Sequence, residues 1–178
     1  MGKRIVLGVT GSIAAYKAVE LLRRMQEKGW DVSVMMTEAA TKYVGQLTFQ
    51  ALTRKPVAVG RFEHVTAESF PHLDLGAADA VVIAPCTANV IAKIAHGLAD
   101  DIVGATVLAS GAPLVVAPAM NEKMWANAAT RENVATLRRR GVAVLDVESG
   151  ELACGAVGAG RLCAVETIVA AVERAVGA

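Results

Sequence analysis

A chain of 178 residues is long enough for one domain with a sizeable core. Its 54% hydrophobic content and mean hydropathy of +0.43 are high, yet no apolar stretch reaches the roughly 20 residues of a membrane helix, so a sheet buried on both faces, with some apolar subunit contacts, accounts for them. A net charge of +1, intermingled charges and 4% aromatic residues give nucleic acid no footing as a partner.

The first predicted element is a strand from Arg4 to Val9. Lys3-Arg4 precedes an apolar run, but glycines and Ser12 interrupt it and no cleavage pattern follows, so the cytoplasm is the expected compartment. A helix from Ser12 to Lys28 follows, with Ala18, Leu21, Leu22 and Met25 on one face and Gly29 as its stop. A strand from Asp31 to Met36 completes a βαβ unit. Between the first strand and its helix lies Gly8-Val9-Thr10-Gly11-Ser12-Ile13. Backbone N–H groups at a helix start, with the Thr10 and Ser12 hydroxyls turned outward, form an anion site. The spacing is neither G-x-G-x-x-G nor a P-loop, which favours a mononucleotide phosphate over a dinucleotide; a plain βα turn of small residues fits equally. Thr37-Glu38-Ala39 after the second strand repeats the signal more weakly, Thr37 serving alternatively as a simple helix cap.

Residues Thr53 to Pro71 read as irregular. His72 follows in Pro71-His72-Leu73-Asp74-Leu75, and histidine suits proton transfer near neutral pH; a surface or core-satisfied histidine is the bland alternative here, as for His64 and His96. Next come a strand from Ala80 to Ala84, a helical pattern from Asn89 to Leu108 broken near Asp100-Asp101, and a strand from Leu114 to Ala117. Both strands end in small and hydrogen-bonding residues, Pro85-Cys86-Thr87-Ala88-Asn89 and Pro118 to Trp125, where open α/β sheets hold their ligands. Asn121 has two readings: an amide for a carboxylate or a flavin edge, or a helix cap. Thr130 is the expected cap of a helix that Gly141 ends, before a strand from Val142 to Leu145. Val147 to Arg161 is glycine-rich and irregular, long enough to close over a site. The last helix runs from about Glu166 to Val176. Near-continuous apolar strands alternating with helices predict an α/β fold: one domain over 1–178, a doubly wound parallel sheet of flavodoxin or Rossmann type. Cys86, Cys154 and Cys163 lack metal-ligand spacing and are expected to be free thiols; Cys154, in its glycine-rich loop, can donate a proton or act as a thiolate, as most lone cysteines do not.

Four motifs in order, Gly8 to Lys17, the histidine motif at His72, Ala84 to Asn89 and Pro118 to Trp125, give the chain a resemblance along nearly its whole length to the homo-oligomeric flavin-containing cysteine decarboxylases. It is most similar to the branch acting on phosphopantothenoylcysteine in coenzyme A biosynthesis. The resemblance implies FMN bound between subunits of a trimer, or of a dodecamer built from trimers. Gly11, Ser12 and Ile13 match the phosphate contacts; Thr37, Glu38, Ala39, Thr87, Ala88, Asn89, Val90 and Ala119 match other cofactor contacts. It implies flavin-dependent oxidation of the substrate's cysteine thiol, loss of carbon dioxide, and reduction of the enethiol to release 4'-phosphopantetheine. His72 matches the base, Asn121 the carboxylate grip and Cys154 the acid, on a substrate-covering flap over 147–161; Met120, Met124, Leu152 and Ala153 match substrate contacts. A phosphopantothenate-cysteine ligase, fused or separate, is the implied partner. Some relatives carry a basic residue and an aromatic where Gly76-Ala77-Ala78 stand here, leaving Lys93, Lys123 or Arg161 to meet the substrate phosphate. Oxidative decarboxylation of a peptide's C-terminal cysteine, flavin prenyl transfer and non-catalytic FMN binding are the neighbouring activities; the Pro118 to Trp125 motif and the Cys154 segment speak against the second, and His72 against the third.

Overall fold

In the computed structural model, which describes residues 2–60, 71–151 and 157–177, six strands form one parallel sheet. They are β1 (Arg4–Val9), β2 (Asp31–Met36), β3 (Ala58–Val59), β4 (Ala80–Cys86), β5 (Leu114–Pro118) and β6 (Ala143–Val144). The order β3-β2-β1-β4-β5-β6 is the Rossmann one, so the chain reverses its winding between β1 and β4. Apolar residues on both strand faces explain the arrangement. Ile5, Leu7 and Val9 enter one core with Val82 and Val115, while Val6, Val81, Ile83 and Val116 enter the other.

Helices α1 (Lys17–Glu27) and α8 (Val165–Ala175) cover the first face through Leu21, Leu22, Met25, Ile168 and Val172, and α2 (Gln46–Thr53) adds Phe49. The second face is covered by α4 (Ala88–His96), α5 (Ile102–Ala109) and α7 (Ala128–Arg139), with the short α3 (Pro71–Gly76) on α5.

Several expected boundaries shift for local reasons. The helix expected from Ser12 begins as a single 3-10 turn, Ile13–Tyr16, and becomes α-helical at Lys17. The expected break falls at Gly97, in a left-handed conformation (φ 68°), and Asp101 restarts the chain as α5 by accepting from the Gly104 N–H at 2.9 Å. Thr130 is not a cap. It is buried inside α7, whose start is capped by Asn127 accepting from the Ala129 N–H at 3.0 Å. The segment read as irregular over 147–161 contains an antiparallel pair, β7 (Glu148–Glu151) with β8 (Val157–Arg161), outside the main sheet.

Candidate active site

The turns after β1, β2, β4 and β5 carry the matched cofactor residues. Thr10 joins two of them at the winding reversal. It is fully buried; its hydroxyl donates to the Pro85 carbonyl at 2.7 Å and accepts from the Thr87 N–H at 3.0 Å. The expectation that this hydroxyl faces outward is therefore corrected: two neighbouring polar backbone groups need it, and burial makes them costly to leave unpaired. Neither Thr10 as a hub nor its acceptor Pro85, after a cis Ala84-Pro85 bond, is visible from spacing alone.

Around this hub three helical turns begin. Ser12 accepts from the Ala14 N–H at 3.3 Å, Thr37 from the Ala40 N–H at 3.3 Å, and Thr87 from the Val90 N–H at 3.4 Å. The first N–H groups of each such turn lack an intrahelical acceptor, which suits an anion. The β1 and β2 turns also touch. Thr37 donates its N–H to the Val9 carbonyl at 3.0 Å, and a Cβ on Gly11 would lie 2.6 Å from the Ala39 Cβ. Only glycine permits that approach. The structure thus brings Gly11, Ser12 and Ile13 together with Thr37, Glu38 and Ala39, and Thr10 ties the Thr87 to Val90 segment beside them.

The β5 end closes the row. The Ala119 N–H reaches the Cys86 carbonyl at 3.1 Å, and the half-buried Asn121 caps the single-turn helix α6 (Glu122–Ala126), its Oδ1 accepting from the Lys123 N–H at 2.9 Å. The cap reading of Asn121 is realised, and the cap fixes where its amide stands. The β7–β8 pair docks here: the Met120 N–H donates to the Gly160 carbonyl at 2.9 Å. Gly160 has φ 152°, and a Cβ there would run into the Met120 carbonyl oxygen. Leu152, Ala153 and Cys154, in the connection between β7 and β8, lie outside the described residues, as do His64 and Glu68.

His72 is half-buried on α3, a separate element that packs on α5. That helix ends at the amino edge of the sheet, where Ser110 donates to the Gly76 carbonyl at 2.8 Å and the Asp79 N–H to the Arg4 carbonyl at 2.8 Å. His72 stands in the first turn of α3, at the end away from Gly76.

Of the three cations offered for a substrate phosphate, Lys93 is removed. Its ammonium contacts Asp100 at 2.7 Å and Asp101 at 2.9 Å. Burial would lower its pKa, but hydrogen bonds to the two carboxylates overcome that and raise it, so the charge is already matched. Lys123 is exposed on α6, and the Arg161 side chain lies against Gly150 across the β7–β8 pair. Cys86 and Cys163 are free and buried. Burial pushes the Cys86 thiol far up, and burial with the nearby Glu148 pushes Cys163 up to about 11, so both stay protonated and inert at neutral pH.

A doubly wound parallel sheet with helix-initiating turns gathered at its winding reversal defines a nucleotide-type cofactor-binding α/β protein. Residues 1–177 match the family described as Flavoprotein, and the chain belongs to it, which makes its cofactor a flavin. It is 45% identical over 169 residues to the coenzyme A biosynthesis bifunctional protein CoaBC of Escherichia coli (strain K12), covering 94% of this chain and 42% of that one. The chain thus spans about two fifths of the length of the curated relatives it matches. Among solved structures, a PPC decarboxylase mutant complexed with pantothenoylaminoethenethiol superposes with TM-score 0.87, 28% identity and 98% coverage of both chains. The FMN-dependent cysteine decarboxylase SpaF superposes with TM-score 0.83 and 33% identity, covering 98% of this chain and 95% of that one. The residues present suit a flavin: the capped turns offer N–H groups to a phosphate, and the small residues Gly11, Ala39, Ala88 and Ala119 stand at those turns.

Proposed function

We propose that this chain decarboxylates 4'-phospho-N-pantothenoylcysteine to 4'-phosphopantetheine, with FMN as its flavin, in the cytoplasm, as a step of coenzyme A biosynthesis. The observation that carries the reading is the row of turns after β1, β2, β4 and β5: it sets Asn121 at the end of the strand next to β4, whose turn Thr10 holds against the β1 turn. Likeness to CoaBC and to the PPC decarboxylase supports the substrate. Two buried free thiols agree with a reducing compartment.

When bound, FMN supplies reversible two-electron oxidation and reduction. The chain supplies position and protons. Gly11, Ser12 and Ile13 hold the phosphate, with Thr37, Glu38, Ala39, the Thr87 to Val90 turn and Ala119 around the remaining cofactor. Asn121 grips the substrate carboxylate until it leaves as carbon dioxide, while Met120 and Met124, with Leu152 and Ala153, line its path. His72 takes the proton when the cysteine is oxidised, and Cys154 returns one when the enethiol is reduced. Electrons balance, since the pair removed before carbon dioxide loss is returned afterwards.

The protein works as a trimer or as a dodecamer built from four trimers, supported by strongly exposed Ile13, Tyr16, Tyr43 and Leu47 on the turns and helices that follow β1 and β2. A phosphopantothenate-cysteine ligase, fused or separate, takes its place beside it, supported by the bifunctional relatives. Purified yellow protein incubated with phosphopantothenoylcysteine should release carbon dioxide and phosphopantetheine; neither product appearing would reject the proposal. His72→Asn should stay yellow and lose turnover. Likeness to SpaF, an FMN-dependent cysteine decarboxylase, supports cysteine decarboxylation in general; the second reading is a peptidyl cysteine substrate, in which the product stays an enethiol and Cys154 becomes dispensable.

A further inference from the structure

A cleft of about 670 Å³ lies between α6 and α7, outside the site described. Its floor is apolar, with the half-buried Trp125 indole and Val134, and its rim carries the guanidinium groups of Arg131, Arg138 and Arg139. Arg138 is engaged by Asp146 at 2.8 Å, and Arg139 donates to the Thr136 hydroxyl at 3.0 Å, a neutral partner that leaves its charge uncompensated. Among the described residues no carboxylate lines the cleft. Three guanidinium groups against one bonded carboxylate leave an excess of about two positive charges, the complement of a phosphate monoester at neutral pH, which carries roughly −1.5 to −2.

The cleft shares a helix with the site. Trp125 donates its N–H to the Asn121 carbonyl at 3.0 Å, so the aromatic floor and the capping amide share one helical turn. A four-residue step along a helix covers about 6 Å. The cation offered from the neighbouring helix α4, Lys93, is already matched by two carboxylates.

We infer that this cleft binds an organic phosphate monoester, with the phosphate on Arg131 and Arg139 and the group that bears it lying on Trp125. Two sources share that chemistry: the phosphate end of the chain's own substrate, which rests on the reaction proposed above, and a separate nucleotide monophosphate, which does not.

The test uses the flavin-loaded protein and binding calorimetry, which needs no turnover. 4'-Phosphopantetheine and AMP are titrated beside their dephosphorylated counterparts, pantetheine and adenosine, into the wild type and the Arg131→Ala, Arg139→Ala double variant. The expected result is that at least one phosphate form binds tenfold or more tighter than its counterpart and loses that preference in the double variant. Which of the two does so names the source, and a phosphopantetheine preference is joined by a KM rise of similar size with kcat within twofold. Binding that ignores the phosphate, a preference that survives both substitutions, or no binding at millimolar concentration would overturn the inference. Arg131→Lys, Arg139→Lys, which keeps the charges, should restore part of the preference and controls for misfolding. Absence of decarboxylation in the wild type would count against the reaction alone.

Discussion

Thr10 shows how one side chain can decide a site. Thr10→Val keeps volume and shape but leaves the Pro85 carbonyl and the Thr87 N–H without their partner. Leaving buried polar groups unpaired costs about 1–3 kcal/mol each, so we expect a loss of about 2–4 kcal/mol in urea unfolding together with weaker flavin retention. Unchanged stability would mean that water replaces the hydroxyl. Cys163 makes a separate point. Its folded pKa of about 11 exceeds the ordinary thiol value of 9.0, so the folded state holds the proton more tightly than the unfolded state. That contribution to stability is complete below pH 9.0 and disappears as pH rises through about 11. Thermal unfolding at pH 8.5 and 10.5 should therefore show a steeper alkaline loss for the wild type than for Cys163→Ala.

The elements that were legible in the sequence are those whose pattern is apolar and periodic: the longer parallel strands, α1, and α4 and α5 with the break between them. The β7–β8 pair was not legible, because Ser149-Gly150 facing Gly158-Ala159 offers no alternation of apolar and polar side chains. Its glycines serve close approach instead. Nor does the stretch Ala128-Ala129-Thr130 show which polar residue starts α7, since Asn127 and Thr130 are both good caps three positions apart. The role of Gly160 gives a prediction. Gly160→Ala sets a Cβ against the Met120 carbonyl and strains a backbone with φ 152°, pushing the β7–β8 pair off the Asn121 segment. Steady-state assays should then show kcat/KM reduced tenfold or more while the visible absorbance of bound flavin persists. Loss of flavin instead would make the pair part of the cofactor site.

Exposed apolar side chains on two parts of the chain bear on the proposed assembly. Tyr16 is 62% and Leu47 74% exposed, with Ile13 and Tyr43 nearby in sequence, on segments that Gly11 and Ala39 hold in contact. A second group, Leu73, Leu98 and Leu108, lies on α3, just past α4 and on α5, respectively. Two different patches on one chain are what a cyclic assembly requires, because each subunit presents one patch to the neighbour ahead and the other to the neighbour behind; a two-fold dimer would need only one. The first patch adjoins the matched phosphate contacts, so association and cofactor retention should be coupled. Leu47→Glu places a charge in that patch without disturbing a core residue, since the side chain is free of the fold. By analytical ultracentrifugation the wild type should sediment as a trimer or a multiple of three and remain yellow through gel filtration, whereas Leu47→Glu should shift toward the monomer and release flavin in the same concentration range. A wild type that is monomeric at micromolar concentration and still holds its flavin would separate the two properties and remove the assembly from the proposed mechanism.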